Sequence, residues 1–237
     1  MNYKSLLIVT YGRSGSTLLQ GLLNSIDGVL IRGENFNFCF GLYQSYQSLV
    51  KAKEKAQKSK ADTNNPVSPW FGALGYDLTE FKQQQAKAVK HLLVGESQCV
   101  KCYGFKEVRY DSVPSDEFSD YMAFLKEIFP DMGVIFNVRN LDEVLKSGWW
   151  KNRKHKEAKK ILMETEKRFL EYASTDADCF VIRYSDVVNK TEVLNSLYDF
   201  IGATYNEARI DTVLSKPHSY DQSKNVLEKL KQVIKGN

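Results

Sequence analysis

Tyr11-Gly12-Arg13-Ser14-Gly15-Ser16-Thr17-Leu18-Leu19 is the stretch on which the reading of this chain turns. Ahead of it, residues 6–10 (LLIVT) form a short aliphatic run of strand length; behind it, the leucines open an apolar helix. Two glycines in the turn let the backbone bend tightly and approach a ligand closely. The free N–H groups at the helix start then converge on one point, with the positive end of the helix dipole behind them. That is a ready site for a doubly charged anion. Ser14, Ser16 and Thr17 add hydroxyl donors, and Arg13 adds a fixed positive charge.

The loop is not that of a nucleoside-triphosphate hydrolase. Such a loop needs Gly-Lys-Ser/Thr, in which Lys reaches the terminal phosphates and the hydroxyl binds magnesium. Here Gly15 is followed by Ser16-Thr17 and the Lys is missing. The later apolar run at residues 133–138 ends in Arg139 where a magnesium-holding Asp would stand. An Arg there suggests a second anionic group on the ligand.

Working outward, residues 133–138, Cys179–Arg183, residues 100–108 and Val29–Arg32 are further runs suited to buried strands of a parallel sheet. Between them lie helices with readable ends. Asn140 caps a helix from Leu141 with Glu143 in the capping-box position, and Asn189 with Glu192 repeats the pattern. Leu194, Leu197, Tyr198 and Ile201 make an apolar stripe that Gly202 stops; Phe118, Tyr121, Leu125 and Ile128 make another, ended by Pro130. The alternation predicts an α/β three-layer sandwich with a mostly parallel central sheet, built as a single domain over residues 1–237. Residues 51–60 (KAKEKAQKSK) continue a helix as a solvated face. Residues 63–76, with two Pro, Trp70 and Phe71, read as an ordered loop, either a lid over a substrate or a loop pinned by buried aromatics.

Composition narrows the function classes. A net charge of +4 suits an anionic ligand, but no basic tail or stripe argues for nucleic acid. No apolar stretch approaches the roughly 20 residues of a membrane span, and the N-terminal run is too short for a secretory signal. Four cysteines in a chain of 237 residues read as reduced and cytoplasmic. Cys99 and Cys102 are spaced as a C-x-x-C, but no second pair or His at ligand spacing follows, so they read as small buried strand residues rather than a metal site.

With these motifs in view, the chain resembles the sulfotransferases that use 3′-phosphoadenosine 5′-phosphosulfate (PAPS). In that family a basic residue followed by Ser-Gly-Ser/Thr-Thr forms the 5′-phosphosulfate loop, to which residues 11–19 are similar, with Arg13 in the basic position. The family holds the 3′-phosphate with an Arg at a strand end and a Ser eight residues later; Arg139 and Ser147 have that spacing. Gly33-Glu34-Asn35 resembles the segment that places a catalytic Glu in the tyrosylprotein and some bacterial carbohydrate branches. The stretch Tyr103-Gly104-Phe105-Lys106 resembles the segment with a Lys near the transferred group. Tyr184-Ser185-Asp186-Val187 is similar to the family's Tyr-Glu-Asp-Leu strand end, with Ser185 replacing the Glu.

The resemblance implies the P-loop-like sulfotransferase fold and a nucleotide-binding transferase. It would bind PAPS as co-substrate and release 3′-phosphoadenosine 5′-phosphate (PAP) as product. Arg13, Ser14, Gly15, Ser16, Thr17, Arg139, Ser147 and Tyr184 would hold the nucleotide, with Ser219 and Lys224 covering it. It implies Glu34 as general base on the acceptor hydroxyl, Arg13 and Lys106 as stabilisers of the moving charge, and no metal, because these cations replace one. His91, His155 and His218 lie outside the segment where some branches place a His base. The acceptor is expected to be a small molecule or a glycan. Tyr43, Tyr46, Trp70, Phe71, Trp149 and Trp150 supply aromatics that either face it or build the core. Two other classes stay open at this point: a magnesium-dependent P-loop kinase, and a PAPS- or PAP-binding module without turnover.

Overall fold

A computed structural model of the protein describes residues 1–60, 62–96 and 99–216. Five strands form one sheet: β1 (Ser5–Thr10), β2 (Val29–Arg32), β3 (Cys102–Glu107), β4 (Met132–Val138) and β5 (Cys179–Arg183). Their spatial order is β2-β3-β1-β4-β5, and every pairing is parallel. The three inner strands are buried along their whole length, which is why they read as unbroken apolar runs.

Helices cover both faces. α1 (Ser16–Asn24) follows β1 and packs on one face with α7 (Tyr184–Val188), α8 (Glu192–Ile201) and α9 (Glu207–Leu214), over a core of Leu6, Ile8, Ile135 and Ile182. On the other face, α2 (Phe38–Lys58), α3 (Leu78–Val94), α4 (Phe118–Ile128) and α6 (His155–Thr175) enclose Leu7, Val9, Phe105 and Phe136. α5 (Leu141–Leu145) is a short helix after β4. The α8 stripe buries Leu194, Leu197, Tyr198 and Ile201 as the spacing predicts, each such side chain stabilising by about 1.5–3 kcal/mol.

Because the chain leaves β1 toward β2 over one face and β4 toward β5 over the other, the strand order reverses at β1/β4. In open parallel sheets the crevice outside the carboxyl ends at that switch point is where ligands bind. Both motifs singled out in the sequence, the loop after β1 and Arg139 after β4, sit there.

Several expectations need correction. Asn189 does not cap α8. It closes α7, Lys190 turns with φ 49°, and Thr191 occupies the cap two residues later. The third strand begins at Cys102 and not at Val100, so Cys102 is buried in the sheet while Cys99 lies outside it and is exposed. Tyr43 is core, packed on Tyr121 and Phe124, and Tyr46 leans on Phe124 beside it. The loop after α2 folds back along that helix: Gly72 N donates to Thr63 O and Lys53 Nζ to Tyr76 O, with Ala73 buried and Phe71 exposed. Ser219, Lys224 and His218 lie outside the described residues. Among the described residues no helix is long and apolar enough to cross a membrane.

Candidate active site

The loop between β1 and α1 turns through two left-handed positions, strained at Arg13 and free of strain at Gly15. Arg13 has φ 71° and Gly15 φ 83°, both left-handed. A side chain at Gly15 would also collide with the Tyr184 ring, its Cβ falling 2.1 Å from Cδ2. Gly15 is the N-cap of α1 and offers no side chain to the helix; the first turn holds no acidic residue. Leu18 N turns back to Gly15 O, and no side chain caps the turn, the arrangement that suits helix-start N–H groups to an anion.

Polar contacts tie this loop to the end of β4. Asn137 Nδ2 donates to Ser14 O at 3.1 Å, and Thr10 Oγ1 lies 2.7 Å from Ser14 Oγ and 2.6 Å from Asn137 O. Ser14 is fully buried, so its hydroxyl braces the loop from inside instead of facing outward as the sequence suggests. Ser16 is buried at the helix start and Thr17 is exposed. Tyr11 Oη accepts from Arg139 N at 2.9 Å and donates to Glu166 Oε2 at 2.5 Å. Burial, with Glu166 beside it, pushes this phenol well above the usual tyrosine range, so it stays protonated.

The predicted anion ligands converge. Arg13 Nε donates to Ser147 Oγ at 2.8 Å, and Arg139 Nη1 to Arg13 O at 3.3 Å. The Arg139 guanidinium lies 4.2 Å from the centroid of Tyr184, the same ring that closes on Gly15, and Arg139 Nε donates to Glu143 Oε2. Glu143 therefore serves Arg139, while Asn140 alone caps α5 through Asp142 N and Glu143 N. A cavity of about 440 Å³ opens between Arg139, Asn140, Arg183, Tyr184 and Ser185.

On the other side of β1, Lys106 and Glu34 also come together. Lys106 Nζ donates to Glu34 Oε1 at 2.6 Å; the lysine is almost wholly buried and the carboxylate is partly open. Arg109 Nη1 reaches the second Glu34 oxygen at 3.5 Å. Sequence reasoning missed what holds this pair. Glu107 is completely buried, and its two oxygens accept from the backbone N–H groups of Asn35, Asn37, Val108 and Arg109 and from Arg109 Nη1. Burial alone would raise its pKa, but the four backbone bonds outweigh burial and hold the carboxyl below the usual Glu range.

Between those clamped N–H groups, Phe36 and Asn37 are consecutive left-handed residues at φ 58° and 55°. Each such position costs on the order of 1–3 kcal/mol. The conformation holds Phe36 80% exposed beside Glu34, its ring 4.0 Å from the Arg109 guanidinium. A cavity of about 240 Å³ lies against Gly12, Arg109, Asp111, Trp149, Trp150 and Arg153. Trp150 Nε1 donates to Gly12 O at 3.0 Å, and Trp149 crosses Gly12 so closely that a Cβ there would lie 2.1 Å from its ring. In this cavity burial raises the Asp111 carboxyl above its ordinary range, against the opposing pull of Arg153. Among the described residues no three His, Cys, Asp or Glu side chains gather as a metal ion would require.

A cationic, glycine-turned loop at the switch point of an all-parallel sheet is the kind of place where open α/β sheets hold anionic ligands. The sulfotransferase family pattern matches residues 5–207, and the chain belongs to that family. Its fold is similar to that of the sulfotransferase domain of the Synechococcus PCC 7002 olefin synthase. The TM-score is 0.54 at 18% identity, over 91% of this chain and 79% of that one. Sulfotransferase STF9 from Mycobacterium avium aligns over 92% of this chain and 70% of its own, with 13% identity and a TM-score of 0.48. No curated protein matches the chain.

Proposed function

We propose that this sulfotransferase takes the sulfuryl group from PAPS and delivers it to a hydroxyl on a small-molecule or glycan acceptor, by in-line transfer without a metal. The observation that carries the reading is the junction of Arg13, Ser147, Arg139 and Tyr184. These residues lie far apart in sequence and meet at one switch point. In this reading the loop N–H groups with Arg13, Gly15, Ser16 and Thr17 hold the 5′-phosphosulfate, and Ser14 fixes the loop's shape. Arg139 and Ser147 hold the 3′-phosphate, and Tyr184 flanks the nucleotide.

In the transfer, the acceptor oxygen bonds to sulfur as the bond from sulfur to the bridging phosphate oxygen breaks. PAP departs with that electron pair, and the acceptor proton passes to Glu34. Positioned cations stabilise the charge that grows on the bridging and sulfuryl oxygens. Arg13 and Lys106 supply it here. Lys106 also orients Glu34 through its 2.6 Å bond, leaving Oε2 on the Arg109 side.

The test has two parts. PAP, in EDTA, should raise the melting temperature, because a ligand that binds only the folded state stabilises it; stabilisation by magnesium-ATP alone would point to a kinase instead. Glu34→Gln should lower kcat about 10²–10⁴-fold, the range for losing a general base, with PAP affinity nearly unchanged. Retained turnover would assign the proton to another group.

A further inference from the structure

Three features on the β3 side of the loop have no part in holding the donor. The first is the cavity of about 240 Å³. Gly12 on its wall belongs to the phosphate loop and Arg109 reaches Glu34, so the cavity touches both halves of the reacting centre. The second is a pair of outward aromatic faces, Trp149 on the cavity wall and Phe36 stacked on the wall residue Arg109, 42% and 80% exposed. Phe36 is held there in a strained backbone that Glu107 enforces, and the Asn35 amide next to it is buried with neither its Nδ2 nor its Oδ1 hydrogen-bonded. A buried amide without partners beside a strained, exposed aromatic is the condition of a loop shaped for contact with something else.

The third feature is charge. Residues 151–160 carry six Lys or Arg against one Glu, an excess larger than the +4 of the whole chain. They run from the cavity wall at Arg153 into the first turn of α6, where the helix dipole already favours negative charge and cations are misplaced for stability. Lys151 and Lys156 are exposed and form no ion pair among the described residues, while Lys154, Lys159 and Lys160 have acidic partners.

We propose that this cavity is the acceptor subsite and that the acceptor is a saccharide carrying negative charge, as a uronate carboxylate or a sulfate ester. The inference rests on the sulfotransfer reading above and names its second substrate class. Each wall fits one part of such a molecule. Phe36 and Trp149 take the C–H face of the sugar ring. Asp111 accepts hydrogen bonds from ring hydroxyls. Arg153 on the cavity wall meets the anionic group, and Lys151 and Lys156, two and three residues along the chain from it, add to the positive field.

The experiment titrates the PAP-loaded full chain with three oligosaccharides of equal length, following tryptophan fluorescence: uncharged oligogalactose, sulfated oligogalactose and oligogalacturonate. The anionic probes should bind at least about tenfold tighter at about 0.02 M salt, and the advantage should collapse by about 0.3 M, where the screening length falls below 10 Å. Preference for one anionic probe identifies the group recognised; equal affinity for both assigns recognition to charge alone. The double variant Lys151→Glu/Lys156→Glu should abolish the preference without changing the thermal shift given by PAP. Phe36→Ala should weaken all three probes by a similar factor of about ten. Equal binding of charged and uncharged probes, or a preference that survives charge reversal, overturns the proposal; unchanged binding by Phe36→Ala removes Phe36 from it. If PAP itself fails to bind, the donor reading falls, and the same titration on the unliganded chain still decides the subsite.

Discussion

The two flanks of β1 solve different problems with different materials. Toward β4, the phosphate loop is braced by many small contacts: Asn137 on Ser14, Thr10 beneath both, Tyr11 joining the strand ends, and Trp150 on Gly12. Toward β3, a strained loop bearing Glu34 and Phe36 has its backbone N–H groups at Asn35 and Asn37 gathered on one buried carboxylate, Glu107, with Lys106 on Glu34 and the Tyr121 hydroxyl on Asn37 as its side-chain ties. The β4 flank thus spreads its bracing over many contacts, whereas the backbone of the β3 flank converges on one group, Glu107. Loss of one brace should dull the first, whereas loss of the clamp should undo the second.

The largest expected effect follows from that dependence. Glu107→Gln keeps the shape but turns an amide NH₂ toward backbone N–H groups, and breaking a buried charged network from one side costs about 3–5 kcal/mol. Urea unfolding measures the loss, and transfer activity should fall with PAP affinity retained. The same residue sets a pH signature. Its folded pKa is depressed, so its contribution is complete above the ordinary Glu value of about 4.3 and disappears as pH falls through the lower, folded value. Wild-type protein should therefore lose stability on acidification more steeply than Glu107→Gln across that window. Equal slopes would mean that Glu107 is not the clamp.

Gly15→Ala comes next. It places a Cβ against Tyr184 at a left-handed position and should cost about 1–3 kcal/mol while sharply weakening PAP binding, read by calorimetry. Should acceptor binding fall instead, the division of labour across β1 is drawn wrongly. The smallest effect is at Asn140. Replacing this cap by Ala should cost about 1 kcal/mol, seen as a shift of the urea midpoint, with only a modest loss of PAP affinity because the other braces remain.

The same asymmetry governs how much could be read from the chain. Buried parallel strands are continuous apolar runs, so β1, β2, β4 and β5 were legible to within a residue. The glycine-turned loop after β1 was legible because glycine spacing and a following helix leave a local pattern, and the meeting of Arg139 and Ser147 with it because both flank one short helix. On the β3 flank Glu34 and Lys106 were legible as a pair of candidates, but the clamp that holds them was not. Glu107 sits next to Lys106 in a strand of mixed composition, and nothing local separates a wholly buried carboxylate from a surface one. Its partners are 70 and 72 residues away. α3 and α6 escaped a specific reading because their charged outer faces dilute the apolar stripe, and the α8 cap was misplaced by two residues because the turn at Lys190 needs a left-handed backbone that Lys does not announce.

Gly12 is a wall with two rooms. One side of its peptide begins the glycine-turned loop; the other, held by the Trp150 indole, is a surface of the small cavity against Trp149. Any change that reshapes one room through this residue reshapes the other. Under the proposed roles, a change of acceptor preference has to come from positions off this shared partition, since any side chain at Gly12 runs into the Trp149 ring.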